Sequence, residues 1–449
     1  MAPSFAVHAR RGAVALACAV AVGAAAAPLA NAAGADEAPS AAASSSAPAP
    51  GAQKLPKGLY GAKDPKFDAV WRQSLAFLAQ DAVGVTPATE AIDWLTQQQC
   101  ADGGFPAFRP DTRKSCDPKK GEFSDATGAA VQALAAVEGR GADVAKGLDW
   151  LTRHQNKDGG WGMNPGSPSD PNSTAVVIGA FAAADKDPGK VTARSGKNPY
   201  DALRNFQLGC DAKQGERGAF GYLPDKDGKL SPNGLATADG ALAAQGRGFL
   251  VAPAKRSDAE PKPLACDDGA KGDAAKAAGR QGTADAAAAY LAATLTAGDQ
   301  HLTSAMPGAE PQPDYGSTAD AVIALAAGGH KDAAQGPLKW LQASKSGALT
   351  WAKGDPGALA KLVLAAHAGG ADPRAFGGAD LVEQLNATGP TPAAVSSDGE
   401  GEDGEDGKGE KDDKDDDGGG TGVWWVVGVG LVAGIGIGFL LSGRKKQRL

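Results

Sequence analysis

A repeated pair of helices is the feature that most constrains the fold of this chain. An apolar helix containing Trp-Leu occurs at residues 91–99 and again at 147–155, and an Asp-Gly-Gly-aromatic turn follows each time. Weaker copies occur downstream, at residues 202–207, 289–291, 339–342 and 380–381. The key aromatics of the first five copies are 56, 56, 84 and 50 residues apart. Self-similarity of this kind indicates a repeat architecture in which each unit buries its neighbour.

An Ala-rich helix follows the Gly turn in most units. Four of these helices open at a threonine step, at Thr127, Thr174, Thr237 and Thr318, where threonine is suited to a helix start. A fifth is predicted at residues 357–367, and residues 67–80 form a further helix with apolar side chains at helical spacing. Six helices of each kind are enough to close a ring. The sequence therefore predicts an all-α fold, an α6/α6 toroid over residues 61–387, rather than an open solenoid, for which we find no polar caps.

Both ends of the chain predict export to a membrane. Residues 1–32 have a basic start, an Ala/Val-rich run and Ala30-Asn31-Ala32, the pattern of a secretory signal peptide. Residues 422–442 include a 19-residue run without charge, which is long enough to span a bilayer as a helix. The basic tail at 443–449 then lies in the cytoplasm by the positive-inside rule. We expect an exported protein with a single C-terminal transmembrane helix and its N-terminus outside.

The net charge of −7 comes mainly from one predicted linker and not from a folded domain. Residues Asp398 to Asp417 contain twelve acidic residues and three lysines, a sum of −9, so the rest of the chain carries +2. We expect residues 388–421 to be a disordered acidic tether and residues 33–60 to be a disordered Ala/Ser/Pro linker. Because the repeat region has no Lys/Arg stripe, nucleic acid is excluded as a partner.

Four cysteines remain after signal removal, and an even number in an exported protein favours disulfides over thiol chemistry. Three pairings are open. We favour Cys100–Cys116 with Cys210–Cys266, since each pair would close one long loop.

The pattern from Trp150 to Trp161 resembles the repeats of the prenyltransferase and squalene–hopene cyclase superfamily, whose α6/α6 ring is shared with the transcobalamin/intrinsic-factor family of cobalamin binders. The resemblance implies two catalytic patterns, and neither is found in the ring. The single DxDD match, Asp413 to Asp416, lies in the acidic tract. The histidines of the mature chain have no zinc-ligand spacing; they are His154, His301, His330 and His367. We expect no catalytic residue, no metal and no resident cofactor.

Candidate ligand-binding residues lie in the longer connections between helices, although loop packing or capping would also explain each of them. They are Asp170, Asn172, Phe220, Tyr222, Tyr315, Asp320 and Trp351. The repeat tryptophans are expected to be structural: Trp94, Trp150, Trp161 and Trp340.

Three functions remain open on the sequence. The first is a surface-tethered, non-catalytic ring that binds a small molecule; the resemblance suggests a cobalamin-like corrinoid. A partner β-domain protein or a transporter would complete such a system. The second is an exported terpenoid-modifying enzyme, which predicts a buried carboxylate pair. The third is a structural or protein-binding module, which predicts a filled centre and an exposed apolar patch.

Overall fold

The computed structural model describes residues 56–395, except 64, 67, 118–120, 254–258, 267–278 and 305–309. From Lys57 onward these residues belong to one compact unit. The predicted signal peptide, most of both linkers, the predicted transmembrane segment at 422–442 and the basic tail lie outside the described residues. Among the residues that are described, no helix is both long and apolar enough to cross a membrane.

The structure confirms the all-α class. Within the described residues thirteen α-helices are present. In chain order they are α1 (Ala69–Ala82), α2 (Thr89–Gln97), α3 (Ser124–Ala135), α4 (Gly141–Arg153), α5 (Pro171–Ala183), α6 (Pro199–Phe206), α7 (Gly234–Ala244), α8 (Gly279–Ala297), α9 (Tyr315–Ala327), α10 (Lys331–Gln342), α11 (Ala348–Ala352), α12 (Pro356–Gly369) and α13 (Leu381–Asn386). Two short strands, β1 (Val85–Thr86) and β2 (Ala394–Val395), pair antiparallel.

Six of these helices pack side by side in a closed cycle. Helix α1 packs on α3, α3 on α5, α5 on α7, α7 on α9, α9 on α12, and α12 returns to α1. These helices are rich in alanine and buried on most of their surface, as in α5 and α9. The helices between them, such as α4, bury one apolar face only, as expected for an outer layer.

The helices of the cycle run parallel, because corresponding positions of neighbours meet. A methyl group at Gly128, the fifth residue of α3, would lie 2.9 Å from the side chain of Val176, the sixth residue of α5. The Asp320–Lys361 ion pair joins the sixth residues of α9 and α12. The N-termini of all six helices therefore gather at one end of the cycle.

Each predicted threonine step lies at the fourth residue of its helix, one turn after the start. The Thr174 hydroxyl accepts the backbone N–H of Trp161 at 3.1 Å, and Thr237 accepts that of Phe220 at 3.0 Å. The same bond joins Phe105 to Thr127 and Leu302 to Thr318. The expectation that threonine starts the helix is corrected: its hydroxyl fastens the preceding Gly turn instead.

Glutamine side chains tie successive repeat units together. Gln155 Nε2 donates to the carbonyl of Gly159 in its own turn at 2.8 Å and to that of Val191 at 3.1 Å. Gln99 and Gln207 make the equivalent pairs of bonds in the neighbouring units.

Both favoured disulfides are present, Cys100–Cys116 and Cys210–Cys266, and the pairing prediction is confirmed. The packed region extends a few residues beyond the expected 61–387. Tyr60 is fully buried and its N–H donates to Gln73 at 2.9 Å. At the other end, β2 pairs with β1.

Candidate functional site

Polar caps surround the N-terminal end of the helix cycle. The side chains that cap α5, α7, α9 and α12 are Asp170, Asn233, Asp314 and Asp355. Asp170 accepts both the N–H of Ser173, at 2.8 Å, and its hydroxyl, at 3.0 Å. Asp314 and Ser317 repeat this arrangement on α9. Caps of this kind satisfy the free N–H groups of a helix start, and they leave this end of the cycle acidic.

One turn deeper, three charged residues occupy the sixth position of three consecutive cycle helices. They are Asp239 on α7, Asp320 on α9 and Lys361 on α12. Lys361 forms a short ion pair with Asp320, whose side chain is 7% exposed, while that of Lys361 is 21% exposed. Asp239 has no ion pair within the described part of the chain, yet it interacts electrostatically with both.

Burial and charge set the protonation of these groups. Burial raises the pKa of Asp239 well above its usual range, and the Asp320 carboxylate raises it further, against the opposing effect of Lys361. Burial acts to lower the pKa of Lys361, but the Asp320 and Asp239 carboxylates outweigh it and the pKa is raised. The trio therefore combines a charged amine with a carboxyl that favours its protonated form.

A second carboxyl pair lies between α3 and α5. Burial raises the pKa of Asp125 to about 6; a hydrogen bond from Ser173 opposes this, and the Asp170 carboxylate adds to it. Oδ1 of Asp125 is buried and has no hydrogen-bond partner among the described residues. Tyr222 lies within the field of both carboxylates, which together with burial raise its pKa.

An aromatic stack leads to this end from the outer layer. The ring of Tyr315 lies 5.6 Å from that of Trp340 and 5.5 Å from that of Trp351, and its hydroxyl donates to the carbonyl of Ser346. A methyl group at Gly316 would lie 3.9 Å from both Lys361 Nζ and the Trp351 ring. Trp351 is therefore next to the charged trio.

Phe249 closes the centre of the cycle below these groups. Its N–H donates to Gln132 Oε1 at 3.0 Å, and its ring packs edge-on against that of Trp71 at 5.6 Å. A cavity of about 10 Å³ lies between Phe249, Asp239 and the neighbouring helices. Phe249 therefore fills the centre of the cycle at this level, and we call the N-terminal end of the cycle above it the mouth.

Large apolar side chains are exposed around the mouth. Within the described chain those most exposed are Met163, Tyr222, Leu223 and Trp351, each between 38% and 47%. The carbonyl of Met163 accepts the N–H of Ser124, the first residue of α3, which places Met163 at the rim. Exposed apolar surface in one place is typical of a binding surface.

The structure brings together five of the seven predicted ligand-binding residues at this end: Asp170, Tyr222, Tyr315, Asp320 and Trp351. Asn172 follows Asp170 on α5, and its Oδ1 is buried without a partner among the described residues. Phe220 does not belong to the mouth. It is fully buried, and a methyl group at Gly240 would overlap its ring, so that its role is to brace α7.

Sequence reasoning missed Asp125, Asp239 and Lys361. Their signal is positional: Asp239 and Lys361 are the single charged side chains of α7 and α12, apart from a C-terminal histidine in the latter. A charge inside an Ala-rich buried helix must face a cavity or a partner, because its burial elsewhere would be costly.

The repeat tryptophans occupy core positions, with one exception. Trp94, Trp150 and Trp161 are buried, and Trp161 Nε1 donates to the carbonyl of Leu151 at 2.8 Å. Trp340 is partly exposed and stacks between His301 and Tyr315. One group of metal-ligating residue types lies together in the described chain, Cys100, Cys116 and Glu122, but both cysteines are used in a disulfide.

No protein-family model matches this chain, and no curated protein matches it. Among solved structures, a protein from Actinoplanes is similar at 14% identity with a TM-score of 0.42, over 70% of this chain and 94% of the other. A sugar epimerase from a ruminal bacterium is similar at 12% identity with a TM-score of 0.37, over 65% of this chain and 81% of the other. Similarity at this level assigns no function, which must come from the residues of the chain itself.

Proposed function

We propose that this chain is an exported, membrane-tethered binding protein that holds a small molecule at the N-terminal mouth of its helix cycle. The observation that carries the proposal is the convergence of carboxyl groups, one partly buried lysine and exposed aromatic rings at the mouth. Convergent polar groups with perturbed pKa values, framed by aromatic surface, are the usual signature of a ligand site.

The proposed architecture is an α6/α6 toroid of the prenyltransferase and cyclase kind. The return of α12 to α1 supports it, because an open solenoid would leave its first and last helices unpaired. The two disulfides support an exported location, since such bonds persist in oxidising compartments. The membrane anchor at 422–442, with the ectodomain outside, remains a proposal that rests on the sequence.

A corrinoid is the specific ligand proposed. A large and flat molecule fits this mouth, because Phe249 closes it from below and Met163, Tyr222 and Trp351 lie around its edge. A narrow channel would suit such a molecule less well. Such a ligand would remain exposed on its outer face. A partner β-domain protein or a transporter is therefore proposed to close over it, and the apolar rim is the surface that such a partner would cover.

Titration with cyanocobalamin tests the corrinoid proposal. The full-length chain in detergent should bind it, and D239N combined with W351A should weaken binding by about tenfold or more, because the variant removes one polar and one aromatic contact. The control is K339Q, a charge change on the outer helix α10. The corrinoid proposal fails if the wild-type chain does not bind, with or without proteins encoded by neighbouring genes.

A second candidate function is an acid–base enzyme acting on an isoprenoid. The observation that favours it is the neighbouring pair Asp239 and Asp320, since burial raises the pKa of both carboxyls and an acid with a raised pKa is what general-acid catalysis uses. Incubation of the full chain with isoprenoid diphosphates and with squalene tests it. Product formed by the wild type and abolished in D239N would favour the enzyme over the binder.

A further inference from the structure

A separate cavity lies on the outside of the helix cycle, between the start of α6 and the start of α8. Its volume is about 350 Å³, and its lining includes Lys190, Tyr200, Leu203 and Arg280. This volume lies within the range of small-molecule sites. None of the residues at the mouth contributes to the cavity, so it is a distinct place on the molecule.

The aromatic ring of Tyr200 and the guanidinium of Arg280 organise this cavity. The guanidinium carbon lies 4.0 Å from the centre of the Tyr200 ring, a cation–π contact, and Nε donates to the carbonyl of Ala244 at 3.3 Å. These two contacts fix the plane of the guanidinium. Within the described residues its terminal nitrogens have no hydrogen-bond partner, so that the forked side of the group, which suits planar oxyanions, is available.

The hydroxyl of Tyr200 is the second observation that indicates a ligand. The Tyr200 side chain is 8% exposed, and its hydroxyl has no hydrogen-bond partner within the described residues. The hydroxyl also lies in the field of both Arg280 and Asp187, which line the cavity. A buried phenol without a partner costs free energy that a ligand acceptor would recover.

The two carboxylates in the cavity wall face backbone groups. Asp187 accepts the N–H of Gly189 at 2.9 Å, and Asp201 accepts the N–H of Asn198 at 2.9 Å in a capping box. One oxygen of each carboxylate is therefore engaged as a helix cap. The lining carries three basic side chains, Lys190, Arg204 and Arg280, against these two carboxylates, so its charge favours an anion.

We propose that this cavity binds a small organic anion that carries a carboxylate or a phosphate group. The oxyanion is held by the Arg280 fork, with the Tyr200 hydroxyl as a further donor and the Lys190 ammonium at the opening. The site is independent of the mouth and of the ligand proposed there.

Calorimetric titration of the full-length chain tests this site with three probes that share a benzyl group. Benzyl phosphate and phenylacetate represent the two oxyanions, and benzyl alcohol is the neutral control. We expect one or both anions to bind with a Kd below about 10 mM and benzyl alcohol to bind at least tenfold more weakly. The anion that binds more tightly shows whether the site prefers a phosphate or a carboxylate.

Variants locate the site within the cavity. R280Q should weaken anion binding by about tenfold or more, because a charge-assisted hydrogen bond is lost, while Y200F should weaken it about threefold or more and keep the ring packing. A thermal melt would show whether R280Q is folded. If it is not, Y200F alone tests the site. K229Q changes a distant exposed lysine and should leave binding unchanged.

Three results would overturn the assignment. They are binding of benzyl alcohol equal to that of the anions, absence of anion binding at about 10 mM, and full anion binding by both R280Q and Y200F. D239N at the mouth should not change anion binding here, so the two proposals fail separately.

Discussion

Single hydroxyl groups fix the Gly turns of this protein to its helix cycle. The Thr237 hydroxyl accepts the N–H of Phe220, which is fully buried, and donates to the carbonyl of Asn233 at 2.6 Å. T237V keeps the shape of the side chain and leaves that buried N–H unpaired. We expect a loss of about 1–3 kcal/mol in the free energy of unfolding, measured by urea denaturation.

The matched control is T296V on α8. The Thr296 hydroxyl also bonds within its helix, to the carbonyl of Ala292, but the side chain is exposed. Its loss should change the free energy of unfolding by less than about 0.5 kcal/mol. Equal effects of T237V and T296V would show that the threonine does not fasten the turn.

The carboxyl of Asp125 makes stability depend on pH. Its pKa is raised from 3.8 to about 6 in the folded state, so the folded chain holds this proton more tightly than the unfolded chain. The contribution of Asp125 is complete below pH 4 and is lost as the pH rises through 6. D125N does not titrate, so its stability relative to wild type should increase by about 2–3 kcal/mol between pH 4 and pH 7.

Urea denaturation across this pH range measures the difference, with D149N, an exposed position on α4, as the control. A difference between D125N and wild type that stays constant with pH would mean that Asp125 titrates normally.

At the residue level, the sequence predicts the position of a side chain best where it follows a turn. Asp170 and Tyr315 lie next to helix starts, and the start of a helix can be located from its cap or turn. Asp239 and Lys361 lie inside Ala-rich segments, where the sequence alone does not show which face points to the centre. Phe220 lies in the core and not at the mouth, a difference the sequence does not show because an aromatic residue in a Gly turn can belong to a loop or brace a helix.

At the scale of elements, glycine decides how closely the turns approach the next unit. Gly159 has φ of 95° and lies against the backbone of Asn198, so that a Cβ would overlap the Asn198 carbonyl. Gly166 has φ of 81° with open space around it. G166A should cost about 1–2 kcal/mol through backbone strain alone.

G159A carries the same strain and the overlap as well, and should cost about 2 kcal/mol more than G166A, measured by thermal or urea unfolding. Equal destabilisation by the two variants would contradict the close packing of the turn on α6.

All twelve helices expected from the repeat are present. They could be predicted because apolar periodicity and Gly turns reflect local structure. The caps were only partly predictable. Asp170 and Asp314 fit the sequence pattern of a helix N-cap, but many acidic residues in loops fit the same pattern. The floor of the mouth was not predictable. Phe249 follows α7 in a segment without periodicity, and only tertiary contacts with Gln132 and Trp71 show that it enters the cycle.

At the scale of the whole molecule, the closed cycle explains why the candidate site residues lie at one end. Parallel helices gather their N-termini, and hence their caps and positive dipole ends, at one end. The sequence could predict six helix pairs, but which end of the cycle carries the charges depends on three-dimensional register. The mouth therefore unites residues from α3, α5, α7, α9 and α12 that are far apart in the chain.

Ligand retention is the direct test of the binding site proposed at the mouth. The full-length chain and the D239N/W351A variant would be incubated with spent growth medium of the producing cell and examined by native mass spectrometry, with K339Q as the control. We expect a bound small molecule on the wild type and on K339Q, and its loss from the D239N/W351A variant. No bound mass on wild type, or the same bound mass on the mouth variant, would contradict it.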